Sequence, residues 1–565
     1  MKKITMPVGI EMFDEIRDRG AYYVDKTEFI EELLNEVFKV MLITRPRRFG
    51  KTLMMKTLEC FFDITKESGK LFEGLKISEN TEICDKWMNK YPVVYISLKD
   101  IDGLTFESAY SEIISLFFKI YDNYRYLLDS DKISDNDKIL FNKILSRTAE
   151  IADIKDALVM LTKMLGTYYG KPAVLLIDEY DVPLANANDN DYYSEMLDMI
   201  KGILSKSLKT NPYLQFAVVT GCLRIAKESI FTGTNNFVIK TISDKLFNRY
   251  FGFTQEEVLR ILDKGGLTEY ADKIEQWYDG YIFGGIKIYC PWDVVNYVND
   301  IQTDPKLAPR SYWNNTSHNN IIRSFIDRSD LYVNDKFEIL LSGGCIKTRI
   351  TEDLTYDLLH SSEENFWSVL YLTGYLTIDK QIEISDEEYN DILGDIEWSL
   401  KIPNNEIKTI FRDTVIKWFS DKVLKRDRTE MFDSLWNGDA EKATGLISDM
   451  LFETISYHDY SESYYHAFIA GIFTGAGYSV QSNKEYGLGR PDIVIADARN
   501  RRAIIIEVKY AAKKSELAGA AGEAVNQIET RKYAEKFSDE YDNVICYGIA
   551  FWKKKCMISK ANTDG

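Results

Sequence analysis

Two stretches of the chain carry residues whose types and spacing suit phosphate chemistry. Thr44-Arg45-Pro46-Arg47-Arg48-Phe49-Gly50-Lys51-Thr52 follows an apolar run and precedes the helical segment Leu53 to Phe62, the context that a phosphate-binding loop requires. In such a loop, backbone N–H groups and the positive end of the helix surround the phosphates. Lys51 is placed to reach the β- and γ-phosphates as a point charge, and the Thr52 hydroxyl to complete a magnesium shell. The loop departs from the pattern G-x-x-x-x-G-K-[ST] at Arg45, where the opening glycine would stand, and Pro46 removes a further N–H. A loop of unusual conformation is expected, with Arg45, Arg47 or Arg48 adding charge beside the Phe49-Gly50 turn. A second motif, Ala173 to Asp181, is an apolar strand ending in adjacent carboxylates. Asp178 is expected to hold Mg²⁺, usually through water, and Glu179 to orient or activate the attacking water. Thr220 closes the run Phe216 to Gly221, where a polar sensor of the γ-phosphate would sit. Arg224, just beyond, reads as a sensor or arginine finger or, equally, as a surface ion pair.

Near the C-terminus, Arg490-Pro491-Asp492 opens one apolar run and Glu507-Val508-Lys509 closes the next. Side chains alternate along a strand, so Glu507 and Lys509 share a face. Asp492, Glu507 and the Val508 carbonyl are the oxygen ligands that a hard cation such as Mg²⁺ takes. Lys509 is then placed to orient or deprotonate a water, or to stabilise a pentavalent phosphate. Alone, a D…E-x-K pattern is frequent by chance; its weight comes from the elements around it.

Those elements read as follows. Phe38 to Thr44, Pro92 to Leu98, Ala173 to Asp178 and Gln215 to Thr220 are short and almost continuously apolar, as buried parallel strands are, with helix-length segments between them. An α/β layer fold is expected over 1–253. Residues 254–460 read as a helical lid and connector, Trp/Tyr-rich, with turn signals at Asp279-Gly280 and Gly343-Gly344 and a short apolar run at Tyr371 to Ile378. From 461 the order is helix (Tyr464 to Thr474), strands (Tyr478 to Tyr486, Asp492 to Ala496, Ala503 to Tyr510), helix (Ser515 to Phe537) and strand (Asn543 to Phe551), an αβββαβ domain.

With Gly9-Ile10, Tyr22-Tyr23-Val24-Asp25-Lys26-Thr27, the arginine-bearing loop, Trp277-Tyr278-Asp279-Gly280-Tyr281, Ile402-Pro403-Asn404-Asn405-Glu406 and Gly489-Arg490-Pro491-Asp492, nearly the whole chain resembles the AAA-ATPase-like proteins that carry a C-terminal PD-(D/E)XK nuclease-superfamily domain. The arginine-bearing loop is itself characteristic of that family. The resemblance implies a P-loop ATPase of the additional-strand class joined to a restriction-endonuclease-like domain, with ATP and Mg²⁺ as cofactors and Mn²⁺ as an alternative at the nuclease site. It assigns metal ligation to Asp492 and Glu507, catalysis to Lys509, and contact with the metal-bound water or scissile phosphate to Gln527. Glu485 is a candidate additional acid. Tyr465 and His466 either face the same cleft or are satisfied, half-buried side chains. Val24 to Thr27 lines an adenine pocket or, with Asp25, caps a helix. The aromatic stretches at Trp277 to Tyr281 and Tyr289 to Trp292 read first as packing, and Trp313 to Ser317 as a turn and helix cap.

Composition narrows the classes. The 565 residues leave room for three or four compact units. Lys and Arg total 70 against 88 Asp and Glu, a net charge of −18, which argues against a positive coat that binds nucleic acid indiscriminately, so any such contact must be local. The C-terminal stretch from 461 is slightly basic within this acidic chain, with Arg499, Arg501, Arg502, Lys513, Lys514 and Lys553 to Lys555 as its clusters. The 7 Cys show no C-x-x-C spacing and there are 4 His, so zinc chemistry has little to build on and carboxylates must carry the metals. The first residues lack the apolar core of a signal peptide, and no apolar run nears the ~20 residues of a membrane span; a reducing cytoplasm is expected. The function expected is an ATPase whose nucleotide state gates a nuclease acting on DNA or RNA, in defence or mobile-element biology. The alternative is an NTP switch whose C-terminal domain binds nucleic acid or protein without cutting. A helicase-type motor ranks third for want of further motifs. Oligomeric state is left open, a homo-oligomer included.

Overall fold

A computed structural model describes residues 4–224, 237–313, 334–354, 356–358, 361–379, 397–414, 428–452, 465, 469, 472–473, 478–482, 491–538 and 540–561. His466, Glu485 and Arg490, much of the expected Tyr464 to Thr474 helix, and the turn beyond Trp313 lie outside the described residues. The chain divides into two compact units, Met1–Thr316 with Cys345–Lys408, and Ser317–Gly344 with Thr409–Gly565.

In the first unit the apolar runs form β1 (Val40–Thr44), β2 (Val93–Ser97), β3 (Ala173–Asp178) and β4 (Leu214–Gly221), joined by a fifth strand, β5 (Phe237–Lys240). All pairings in this sheet are parallel, in the order β2-β3-β4-β1-β5. Every residue of β1 and β3 is buried, as helices on both faces of a parallel sheet require. Strand β4 sits between the strand that leads into the loop and the strand that ends in Asp178, the arrangement of the additional-strand P-loop NTPases. Its consequence is positional: the C-terminal ends of β1, β4 and β3 lie side by side, and Thr220 stands between Thr44 and Asp178.

The region after 254 is helical in Gln255–Gly265, Ala271–Tyr278 and Pro291–Thr303, which bury Val258, Ile261, Leu262, Ile274, Tyr278 and Val298 in one cluster. It also contains a hairpin of β6 (Tyr281–Phe283) and β7 (Ile286–Ile288), and a three-stranded antiparallel sheet, β8-β10-β9, of β8 (Ile346–Thr348), β9 (Thr377–Ile378) and β10 (Trp398–Lys401). Runs this short have no periodicity from which to distinguish them from loop. The turn at Asp279-Gly280 is set by packing: Gly280 has φ +98°, and a Cβ there would lie 2.1 Å from the Pro403 carbonyl oxygen. Asp279 beside it is 3 % exposed, and burial pushes its carboxyl up to about 6, against the Gly280 N–H and Lys287, which pull it down. A carboxyl whose pKa is higher folded than unfolded holds its proton more tightly in the folded state, so stability falls as pH rises through about 4 to 6. A rise of that size corresponds to roughly 2–3 kcal/mol. Asp279→Asn lacks this titration: its melting temperature relative to wild type should rise by a few degrees between pH 4 and pH 7, and a constant difference would refute the assignment.

The second unit holds helices Thr429–Trp436 and Ala440–Phe452 and a mixed sheet, β11-β12-β13-β14-β15, of β11 (Ser479–Ser482), β12 (Ile493–Asp497), β13 (Arg502–Tyr510), β14 (Asn543–Trp552) and β15 (Lys555–Lys560). Among the described residues of this sheet, only β13 and β14 pair in parallel. The edge strand β15 falls where the sequence reads as a cluster of lysines; Lys553, at φ +50°, turns the chain into a hairpin. The expected helix Ser515 to Phe537 is shorter, Leu517–Thr530, because the chain takes a left-handed residue at Lys532, φ +55°. Glu507 pairs with Gly548, where a Cβ would lie 2.4 Å from the Ala521 carbonyl oxygen. The missing side chain lets the helix backbone press onto β14 at the level of Glu507.

Candidate functional sites

The phosphate loop runs from the end of β1 to the helix Lys51–Phe62, with Gly50 as N-cap at φ +83° and Arg48 at φ +69°. Left-handed residues in such a turn produce the concave run of N–H groups that receives anions. Lys51 is buried, and its Nζ donates to the carbonyls of Arg45 at 3.1 Å and Pro46 at 3.0 Å, with Cys222 Sγ at 3.6 Å. Burial alone would lower its pKa; the negative groups around it, Cys222, Glu179, Asp181 and Asp178, reverse the sign and hold it above the ordinary lysine value. The ammonium therefore stays charged where a phosphate would arrive.

Asp178 is fully buried. One of its oxygens accepts the Thr52 hydroxyl at 2.7 Å, and the other accepts the Thr220 hydroxyl; Tyr95 Oη lies 3.4 Å away. Loop, carboxylate strand and inserted strand thus meet on one carboxylate, with two hydroxyls poised beside it, a donor set that fits a hydrated magnesium ion. Glu179, next in the chain, is held at φ +54°, an uncommon conformation for a non-glycine residue that points to a positional demand. Burial pushes its carboxyl up, with Lys51 opposing, the direction that a general base would need.

The arginines divide. Arg45 is turned beneath the loop: fully buried, it donates to the carbonyls of Thr44, Lys240 and Phe247 and lies 5.3 Å from the centroid of Phe251. There it braces β1 against β5, with burial lowering its pKa to about 10, and takes no place among the N–H groups of the loop. Arg47 is half-buried beside Cys222, Tyr356, Asp181 and Tyr375. Arg48 donates to the Tyr312 carbonyl at 2.5 Å and lies 4.9 Å from the Trp292 ring centroid. Phe49 is buried against Tyr281 and Phe283, anchoring the loop. Arg224 pairs with Asp353 at 2.6 Å, the ion-pair alternative. Asp25 accepts the N–H and hydroxyl of Thr27 and the N–H of Lys76, a turn-forming role.

In the C-terminal domain, Ile493 pairs with Ile506 across antiparallel strands, which sets Asp492 beside Glu507. Asp492 Oδ2 accepts the Val508 N–H at 2.8 Å. Glu507 is buried, Lys509 Nζ stands 3.7 Å from its Oε1, and Gln527 Nε2 donates to that same oxygen from the helix above. All four residues read from the sequence are brought together. Sequence reasoning missed Tyr533, which is buried against the site, its hydroxyl pushed up by burial and by Glu507 and Asp492, with the Gln527 side chain in hydrogen-bonding reach. Its only signal was its place in the segment after Gln527. Tyr465 is fully buried, stacked 4.3 Å from Phe551, and donates to the Lys553 carbonyl; it packs the domain. Of the basic residues, Arg501 pairs with Asp542 and Arg502 with Asp497, while Arg499, Lys513 and Lys514 are exposed.

Fold and sites together define a P-loop NTPase of the additional-strand class joined in one chain to a restriction-endonuclease-like domain. Residues 7–231 match the family model described as a predicted AAA-ATPase, and residues 460–561 match the PD-(D/E)XK nuclease superfamily; the chain carries an AAA-ATPase-like domain and a nuclease-superfamily domain. A protein of Azotobacter chroococcum mcd 1, described as an uncharacterized protein in the vnfD 5' region, is 24% identical over 569 residues, covering 98% of this chain and 97% of its own. Among the described residues no helix is long and apolar enough to cross a membrane.

Proposed function

We propose that the chain hydrolyses ATP at the phosphate loop and that its nucleotide state gates a Mg²⁺-dependent nuclease acting on DNA or RNA in the cytoplasm. The observation that carries this reading is the convergence of Thr52, Asp178 and Thr220 at one site of a chain whose other domain gathers Asp492, Glu507, Lys509 and Gln527. Lys51 and the loop N–H groups would bind the β- and γ-phosphates, and Glu179 would take the proton of the attacking water. Asp178 and Thr52 would hold magnesium, which neutralises charge developing on the phosphates. In the C-terminal domain Asp492 and Glu507 would hold a second divalent ion, Mg²⁺ or Mn²⁺, and Lys509 would orient the attacking water or stabilise the pentavalent phosphate. The exposed Arg499, Lys513 and Lys514 are available to the nucleic-acid backbone. Defence against foreign nucleic acid, or mobile-element biology, is the setting in which a nuclease held under nucleotide control makes sense.

The test is cleavage of labelled DNA and RNA by the full chain, with and without ATP and Mg²⁺ or Mn²⁺, beside Glu179→Gln. That variant should bind ATP with wild-type affinity and hydrolyse it at least about 100-fold more slowly, since general-base catalysis contributes roughly 10²–10⁴. Its cleavage should stay in the ATP-bound regime. Hydrolysis at the wild-type rate would remove Glu179 as the base; nucleic-acid binding without cutting under every condition would leave a non-cutting switch.

A further inference from the structure

Three motifs that the nucleotide chemistry does not use converge, within the first unit, on the phosphate loop. Asn404 Nδ2 donates to the Asp279 carbonyl at 2.8 Å, and Gly280 leaves room for the Pro403 carbonyl, so the segments 277–281 and 402–406 are locked together. Glu406 and Asp293 are both 0 % exposed. They adjoin each other, and burial pushes both carboxyls up, Asp293 well above the ordinary range. One oxygen of Glu406 accepts the backbone N–H groups of Tyr312 and of Trp313, the latter at 3.0 Å. The carbonyl of Tyr312 accepts Arg48. A single peptide group, Tyr312–Trp313, is therefore held at its N–H end by Glu406 and at its C=O end by the phosphate loop. Its place in the chain gives this meaning: Tyr312 lies four residues before the chain leaves the first unit after Thr316, and Glu406 lies two before it leaves again after Lys408.

A nucleotide on the loop would offer Arg48 a second acceptor. A phosphate oxygen is an ionised acceptor and outcompetes a neutral carbonyl for a guanidinium. We propose that Arg48, the Tyr312–Trp313 peptide and Glu406 form a clasp that reports nucleotide on the loop to the C-terminal unit, with Glu406 as its positioning residue. Phosphate recruits Arg48, the Tyr312 carbonyl is released, and the Tyr312–Trp313 peptide keeps only its hold on Glu406. This rests on the reading of the loop as a nucleotide site and deepens the gating proposed above.

Hydrogen exchange on the full chain tests it, with the non-hydrolysable analogue adenylyl imidodiphosphate and Mg²⁺ as probe and calorimetry to measure its binding. In wild type, the analogue should raise exchange in peptides spanning 307–316 by about threefold or more, as expected when one of two holds on a peptide is lost, and should change exchange in helices Thr429–Trp436 and Ala440–Phe452. Glu406→Ala should exchange fast at 307–316 with or without analogue and lose the response at 429–452. Glu406→Gln, which keeps an acceptor oxygen, should retain both responses and guards against a variant that fails to fold. Analogue bound by wild type with no change at 307–316 or at 429–452 would overturn the clasp alone, as would a wild-type response in Glu406→Ala. Failure of the analogue to bind at all would overturn the nucleotide site and the clasp with it.

Discussion

Replacing Asp492 by Asn is expected to abolish divalent-metal-dependent cleavage while leaving the domain folded. The fold should survive because the amide oxygen can still accept the Val508 N–H that Asp492 Oδ2 accepts at 2.8 Å, so the join between β12 and β13 keeps its hydrogen bond. What is lost is one of the two carboxylate charges that a hard cation requires. Asp492 and Glu507 would hold the ion, which would neutralise charge developing on a scissile phosphate; its loss would cost several kcal/mol, or a rate lower by about 10³ or more. Metal titration by calorimetry and cleavage of labelled substrate should fall together. Lys509→Ala separates the roles: Lys509 stands 3.7 Å from Glu507 Oε1, so its loss should stop cleavage and leave the metal nearly as tightly bound. On the proposed reading, nucleic-acid affinity should survive both changes and fall with salt, as when basic residues displace counterions from the nucleic acid. Cleavage by Asp492→Asn at the wild-type rate would refute the site.

Lys51→Ala is expected to lower ATP affinity by about 10- to 100-fold, the value of a charge-assisted phosphate contact of roughly 1.5–3 kcal/mol. The geometry gives the lysine a second task, since Nζ also ties the carbonyls of Arg45 and Pro46 at the start of the loop. Removing it leaves two carbonyls short of a donor and loosens the cradle before any nucleotide arrives, so the loss should lie toward the upper end. Calorimetric titration of ATP measures it; unchanged affinity would end the assignment of the loop. Arg45 offers a contrast, because its guanidinium is spent on the carbonyls of Thr44, Lys240 and Phe247. Its replacement should act on the stability of the sheet ahead of its action on nucleotide.

The chemistry was legible where it depends on residue type and local order. Apolar strands ending in Asp178-Glu179 or in Thr220, and a loop closing in Gly50-Lys51-Thr52, are features of contiguous sequence, because a parallel strand buried on both faces must be apolar along its length and must release the chain at its C-terminal end. Strands β5 and β15 escaped the reading. Strand β5 offers only Phe237, Val238 and Ile239 before Lys240, and β15 begins among lysines, so neither shows an apolar run as long as those that mark the others. Likewise β8, β9 and β10 are too short for a period.

By itself the sequence determined the two modules and their order, and it named the candidate groups for phosphate and metal, since these follow from side-chain chemistry in short segments and from the family those segments resemble. Only the tertiary structure decided which way those groups face. Arg45 sits in the loop yet turns under it, because β5 and Phe247 supply carbonyls that a buried guanidinium must find. Gln527 reaches Glu507 because Gly548, on a different strand, lets the helix approach. Tyr533 joins the site by folding back after a left-handed turn, and Glu406 meets Tyr312 across more than ninety residues of chain. Contacts of that kind are set by packing between distant segments, which no local pattern encodes.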